Sequence, residues 1–183
     1  MSSSPRLPAW IAALDALSDW VGRAVSWLTL GMVLVTFLVV LLRYAFDLGW
    51  IAMQESVVYM HGLVFMLGAA YTLRHNRHVR VDIFYRKIGR RGRHLVDLLG
   101  ALLLLAPTCA VIAWTSWEYV FSAWAVHEGS PEAGGLPALF LLKSLLLLMP
   151  LLLLLQALAG AARNLLLLSA GDGETEQAPE PEL

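Results

Sequence analysis

His61 and Gln156 are strongly polar side chains that fall well inside long apolar stretches, with Glu55 and Glu118 nearer the ends of such stretches and Arg43 closing the first. Ionisable groups in apolar surroundings serve proton relays, ion pathways or haem ligation, because they are costly there unless used or paired. A relay needs a chain of such groups, and a membrane haem needs paired ligands facing each other. The other three apolar stretches contain no histidine. His61 therefore reads as a packing or hydrogen-bonding histidine. His75, His78 and His94, with Asp82 and Asp97, resemble a metal cluster superficially, but Lys and Arg residues crowd residues 74–93 and would repel a metal ion. Cys109 is the sole cysteine, which excludes an intramolecular disulfide, a Cys-based zinc site and a Cys-ligated iron–sulfur cluster. A Gly-rich phosphate loop, a Ser/His/Asp set and a poised carboxylate pair are all missing, so the chain is read as no enzyme and with no cofactor of its own. Glu55 is the acid of most interest. Arg43 and Glu55 flank the first turn, close enough in sequence to pair, and Tyr59 and Gly62 continue the helical face of Glu55. Such a pair either pins the hairpin, or Glu55 contacts a partner.

The elements that must position these residues follow from composition. Of 183 residues 58% are hydrophobic and 15% charged, against about 45–50% and about 25% in soluble domains. A net charge of -1 excludes a basic nucleic-acid-binding domain. Stretches free of Asp, Glu, Lys and Arg run from Ala24 to Leu42, Ser56 to Leu73, Leu98 to Trp117 and Ser144 to Ala162. At 1.5 Å per residue each approaches the ~30 Å hydrocarbon core. The predicted fold is an all-α integral membrane protein of four transmembrane helices, at about 24–46, 52–73, 95–126 and 138–168. Residues 1–22 are expected to form a cytoplasmic or interfacial helix, 23–168 the four-helix membrane domain and 169–183 an acidic, disordered cytoplasmic tail with no apolar face. Eleven of the 13 Lys and Arg residues fall at the termini and in the second connection, which places both termini in the cytoplasm.

Short amphipathic interfacial helices are predicted at the N-terminus and in the basic loop. In the first, Trp10, Ile11, Leu14, Leu17 and Val21 share a face while Asp15 and Asp19 share another; the alternative is a first membrane helix that starts early. In the second, Asp82 can cap a turn that Gly89 ends, and the basic residues attract anionic headgroups. On the third span Ala106, Ala110, Ala113, Trp114, Trp117, Phe121 and Trp124 fall within an arc of roughly 100°. Small-xxx-small spacing lets another helix approach, whereas the aromatic end alone could be a belt facing lipid. Pro150 is expected to bend the fourth span, which ends in Ala157, Gly160 and Ala161.

Trp50-x3-Gln54-Glu55-x3-Tyr59, then Leu67-Gly68-Ala69-Ala70, then Arg74-x3-His78-Val79-Arg80-Val81-Asp82 resembles the small membrane subunit of tripartite ATP-independent periplasmic (TRAP) transporters. The resemblance covers most of the chain and includes the order of the spans and the basic middle loop. It implies a three-part importer of the bacterial inner membrane. A periplasmic binding protein captures an organic acid, a large membrane subunit carries it with sodium, which that large subunit binds, and this subunit braces the large one within the lipid. Trp50, Glu55, Tyr59, Arg80 and Asp82 are the structural or interface positions the resemblance carries over. Two alternatives remain open on sequence alone: a stand-alone small transporter or channel, and a membrane anchor of an electron-transfer complex.

Overall fold

The computed structural model describes residues 8–78 and 88–169. Every regular element in it is helical: α1 (Ala9–Phe46), α2 (Ile51–Arg74), α3 (Arg90–Leu99), α4 (Ala106–Ala125) and α5 (Leu139–Ser169). α3 runs into α4 through a π-helical stretch at Gly100–Leu105. Four helical stretches are thus long and apolar enough to cross a membrane, with α3 and α4 counted as one.

The ends of these helices follow from local chemistry. α1 stops at Asp47, which takes left-handed backbone (φ 52°), and the Leu48 N–H returns to the Leu42 carbonyl. Trp50, in extended backbone, then opens α2. α2 ends similarly at Asn76 (φ 52°), with the Arg77 N–H bonded to the Thr72 carbonyl. The π-helical stretch lies just ahead of Pro107, which lacks the N–H that would continue the ladder and whose ring crowds the carbonyl four residues back. Widening the preceding turn relieves that crowding without breaking the helix. α5 continues through Pro150, which is buried.

α1 packs on α2, α2 on α5 and α5 on α4, with a smaller contact between α1 and α5. The order across the layer is therefore α1, α2, α5, α4, with α1 and α4 at its edges. Buried positions are mostly small: Ser18 and Gly22 on α1, Ala70 on α2, Cys109 and Ala123 on α4, Ala157, Ala159 and Ala161 on α5. Without a hydrophobic force between helices in lipid, close backbone approach over small residues is what holds such a layer. At Gly22 a Cβ would lie within 2.6 Å of the Tyr71 Cβ, and at Gly62 within 2.9 Å of Leu142 Cδ1.

Within the described residues, 9–22 do not form a separate helix. Ala9–Phe46 is one unbroken helix of 38 residues, about 57 Å long at 1.5 Å per residue, so the alternative of an early start describes it. Its faces are also disposed differently from the amphipathic reading. Ile11, Asp15, Ser18, Gly22 and Val25, spaced by alternating steps of four and three, line the side toward the other helices, all but Asp15 buried. Trp10, Leu17 and Trp20 are exposed. Polar groups seek partners inside the layer because lipid offers none, and the apolar side chains can face outward.

Candidate functional site

The polar residues gather at the two ends of the layer. At one end, α2 contributes Glu55 from its first full turn, facing the loop between α4 and α5. Glu55 Oε1 accepts a hydrogen bond from the Ser130 hydroxyl, and Oε2 accepts one from the Leu136 N–H at 2.7 Å. The loop closes on itself as well. Ser130 N–H donates to the Leu136 carbonyl at 2.9 Å, Gly135 N–H to the Glu132 carbonyl at 3.0 Å, and Gly134 takes φ 81°, open to glycine without strain. Any Cβ at Gly135 would stand 2.8 Å from Glu55 Oε1. Beside this bracket lies a cavity of about 270 Å³ lined by Glu55, Val58, Tyr59, Ser130, Pro131, Leu139 and Leu142. The Tyr59 hydroxyl is buried without a hydrogen-bond partner.

Both carboxylate oxygens of Glu55 are thus engaged by the 126–138 loop, and the expected pairing with Arg43 is not what the fold adopts; Arg43 is exposed near the end of α1. Sequence proximity across the first turn favoured Arg43, but α2 packs against α5, and that brings the loop leading into α5 over Glu55. On the same end Lys143 donates to Glu128 and lies 4.0 Å from the centre of the Tyr119 ring. Trp124 Nε1 donates to Ser144 Oγ at 2.8 Å. These contacts tie α4 to α5.

Replacing Glu55 by alanine removes both acceptors. The Leu136 amide is then expected to exchange with deuterium faster by roughly an order of magnitude, with Glu55→Gln intermediate because it keeps one carbonyl acceptor. Unchanged exchange at Leu136 in the alanine variant would mean that the loop's own backbone bonds suffice.

At the opposite end, α1, α2 and α5 are joined through Asp15. Its Oδ2 meets Arg163 Nη2 at 2.6 Å, and its Oδ1 accepts from Gln156 Nε2 at 3.0 Å, with Arg74 Nε 3.7 Å away. Gln156 Oε1 in turn accepts from the Ser18 hydroxyl at 2.6 Å, and Arg74 also pairs with Asp19. His75 Nε2 stands 2.9 Å from Asp19 Oδ1. Asp15, Ser18, Asp19, Arg74 and Arg163 were not singled out as a site by sequence reading. The available signal was two acids one helical turn apart near an apolar run, and a glutamine in a run of leucines, each of which demands a partner.

The remaining positions divide clearly. Trp50 sits at the start of α2 with its side chain exposed. Arg80 and Asp82, and most of the proposed loop helix, lie outside the described residues, as does the acidic tail from residue 170. On α4, Ala106 and Ala113 are half-buried and Ala110 is exposed; Trp114 (84% exposed), Trp117, Phe121 and Trp124 are exposed too. α4 meets α5 instead through Cys109, Val120 and Ala123. The small-and-aromatic arc is therefore largely unfilled within the chain, with Trp117 and Phe121 packed ring to ring at 4.5 Å. His61 is exposed and stacks on Phe65 with ring centres 6.1 Å apart. His94 bonds Asn164 at 2.9 Å. Among the described residues no group of three His, Cys, Asp or Glu side chains is placed to hold a metal ion.

Residues 32–167 match the family model of tripartite ATP-independent periplasmic transporters, DctQ component. The chain is similar to the "C4-dicarboxylate TRAP transporter small permease protein DctQ" of Vibrio cholerae, with 24% identity over 123 residues, 66% of this chain and 53% of that protein. It thus spans about half the length of that relative. It is also similar to the Haemophilus influenzae protein named "Putative TRAP transporter small permease protein", with 24% identity over 125 residues, 65% of this chain and 78% of that one. No solved structure matches the chain.

Proposed function

The chain belongs to the DctQ components of the tripartite ATP-independent periplasmic transporters, the small permease subunits, and from that premise we propose that it braces the large transport subunit during uptake. The cargo in this reading is an organic acid delivered by a periplasmic binding protein. Sodium drives the uptake and binds the large subunit, so this chain holds no ion of its own. It lies in the bacterial inner membrane with both termini in the cytoplasm, the Asp15 end inside and the Glu55 end outside, as the distribution of Lys and Arg supports.

The observation that carries the reading is the open layer. α4 uses one side against α5 and leaves Ala110, Trp114, Trp117 and Phe121 exposed. The polar residues of the two ends are largely spent on bracing the helices to one another rather than left free in mid-layer for transport. A rigid layer with an unfilled small-and-aromatic arc suits a subunit that supports a moving partner.

Mild-detergent purification of the tagged chain from its native membrane, with mass spectrometry of what accompanies it, tests this directly. A large multi-span protein is expected at near-equal stoichiometry. The double variant Trp117→Ala/Phe121→Ala is expected to weaken recovery of that protein about tenfold or more, since interface aromatics each contribute roughly 1–2 kcal/mol. Phe37→Ala, on the edge helix α1, should leave recovery unchanged. A lone protein or homo-oligomer would overturn the bracing role; full recovery with the double variant would assign the α4 arc to lipid instead.

A further inference from the structure

Arg93 aside, the described arginines at the Asp15 end fall into two groups. Arg74 and Arg163 are neutralised by Asp15 and Asp19. Arg23, Arg77, Arg90 and Arg91 are exposed, and none of them stands in the ion pairs found among the described residues. Arg77 follows the end of α2, and α3 is fastened by His94 to Asn164 near the end of α5, whereas Arg23 lies eight residues beyond Asp15 along α1.

α3 carries the most telling arrangement. It opens at Gly89 with no side-chain cap and no acid in its first turn, only Arg90, Arg91 and Arg93. Cations there have the wrong sign for the helix dipole; Arg93 is engaged within the chain, its Nε donating to the Ile88 carbonyl at 2.9 Å, and an anion from outside the chain would relieve Arg90 and Arg91. Leu95, Val96 and Leu99 follow on one arc at 100° per residue, each 44–48% exposed, on a different side from His94. The exposed run continues into Leu102, Leu103 and Leu104. Along the axis, charge thus gives way to hydrocarbon within two turns. On α1 the exposed indoles of Trp20 and Trp27 flank Arg23, as aromatic side chains do at the boundary of a bilayer.

We propose that this surface docks anionic phospholipid, with Arg90 and Arg91 engaging the headgroup phosphate, Arg77 extending the basic rim, and Leu95, Val96 and Leu99 lying along the acyl chain. Charge complementarity selects an anion, and the apolar arc selects a lipid over a soluble phosphate, which would leave those leucines in water. The assignment depends on the four membrane spans and not on the identity of any protein partner.

The full chain, reconstituted in phosphatidylcholine bilayers containing a minor fraction of spin-labelled phosphatidylglycerol or spin-labelled phosphatidylcholine, reports the contact as motionally restricted label. Wild-type protein is expected to hold phosphatidylglycerol in preference to phosphatidylcholine. Arg90→Gln/Arg91→Gln should weaken that preference by about fivefold for each arginine removed, while Arg90→Lys/Arg91→Lys keeps most of it and Arg43→Gln, at the other end, keeps all of it. Inorganic phosphate in the buffer should not abolish the preference beyond what equal ionic strength does. Equal restriction of both lipids by the wild type, a wild-type ratio in Arg90→Gln/Arg91→Gln, or specific displacement by phosphate would each overturn the proposal. If that double variant aggregates on gel filtration, Arg77→Gln reads the same rim, and a wild-type ratio there would overturn it equally.

Discussion

Gly22→Leu is expected to separate α1 from α2 and to lower the unfolding midpoint of the detergent-solubilised protein more than any other single change on the apolar faces. Even the first added atom is not accommodated: a Cβ at residue 22 falls within 2.6 Å of Tyr71 Cβ, and other Tyr71 atoms are nearer still. Those atoms are the root of the tyrosine and the start of its ring, which cannot swing away as a flexible tip would. The ring itself is packed against His75 with centres 4.4 Å apart, and His75 is held to Asp19. Backbone must move, and overpacking of this kind costs about 1–3 kcal/mol, with further loss as the helices part. Gly22→Ala should show the same effect in smaller measure. Tyr71→Ala placed on top of Gly22→Ala should recover much of the loss, because the clash needs both side chains. A Gly22→Leu protein that unfolds with the wild-type midpoint would show that the two helices do not cross at this contact.

Asp15→Ala is expected to be the most damaging polar substitution. One carboxylate serves three helices: it receives Gln156 and Arg163 of α5, stands beside Arg74 of α2, and its own backbone carbonyl accepts from the Arg74 guanidinium. Removing it leaves Arg163 without its carboxylate in a partly buried space and Arg74 with Asp19 alone. The cost should fall between the small value of an exposed pair and the larger one of a fully buried pair, about 2 kcal/mol. Asp15→Asn keeps an acceptor for Gln156 and loses the charge, so it should fall between alanine and wild type. Pairing Asp15→Ala with Arg163→Leu should be milder than the sum of the two, since the second change removes the stranded charge. Strict additivity in chemical unfolding would refute the three-helix tie. On the bracing proposal, the same substitution should also loosen the first four turns of α1 and lower recovery of a large partner subunit in the pull-down.

The contrast between these residues and the spans shows where sequence reading succeeds. Four helices long and apolar enough to cross a membrane were legible in the sequence, because a stretch of about twenty apolar residues matches the bilayer core by length alone. The motifs around Trp50, Glu55 and Tyr59 likewise pointed to the family that the model over residues 32–167 bears out. The exposed arc on α4 was visible as a periodic pattern, although periodicity could not say whether α5 would fill it. The π-helical stretch before Pro107 had a local cause, yet a proline near the middle of a span is equally compatible with a kink.

By itself, then, the sequence determined how many times the chain crosses the membrane, which segments do so and which family it joins, since these depend on local apolar length and on motif order. Only the tertiary structure decided which faces meet. Asp15 found Arg74 and Arg163 across 59 and 148 residues, and Glu55 turned to the loop of residues 130–136 instead of Arg43. The physical reason is that lipid accepts any apolar face of a helix, so hydropathy alone does not choose an orientation. The choice falls to the few polar groups that need a partner and to the small residues that let one approach, and both depend on which helices are neighbours.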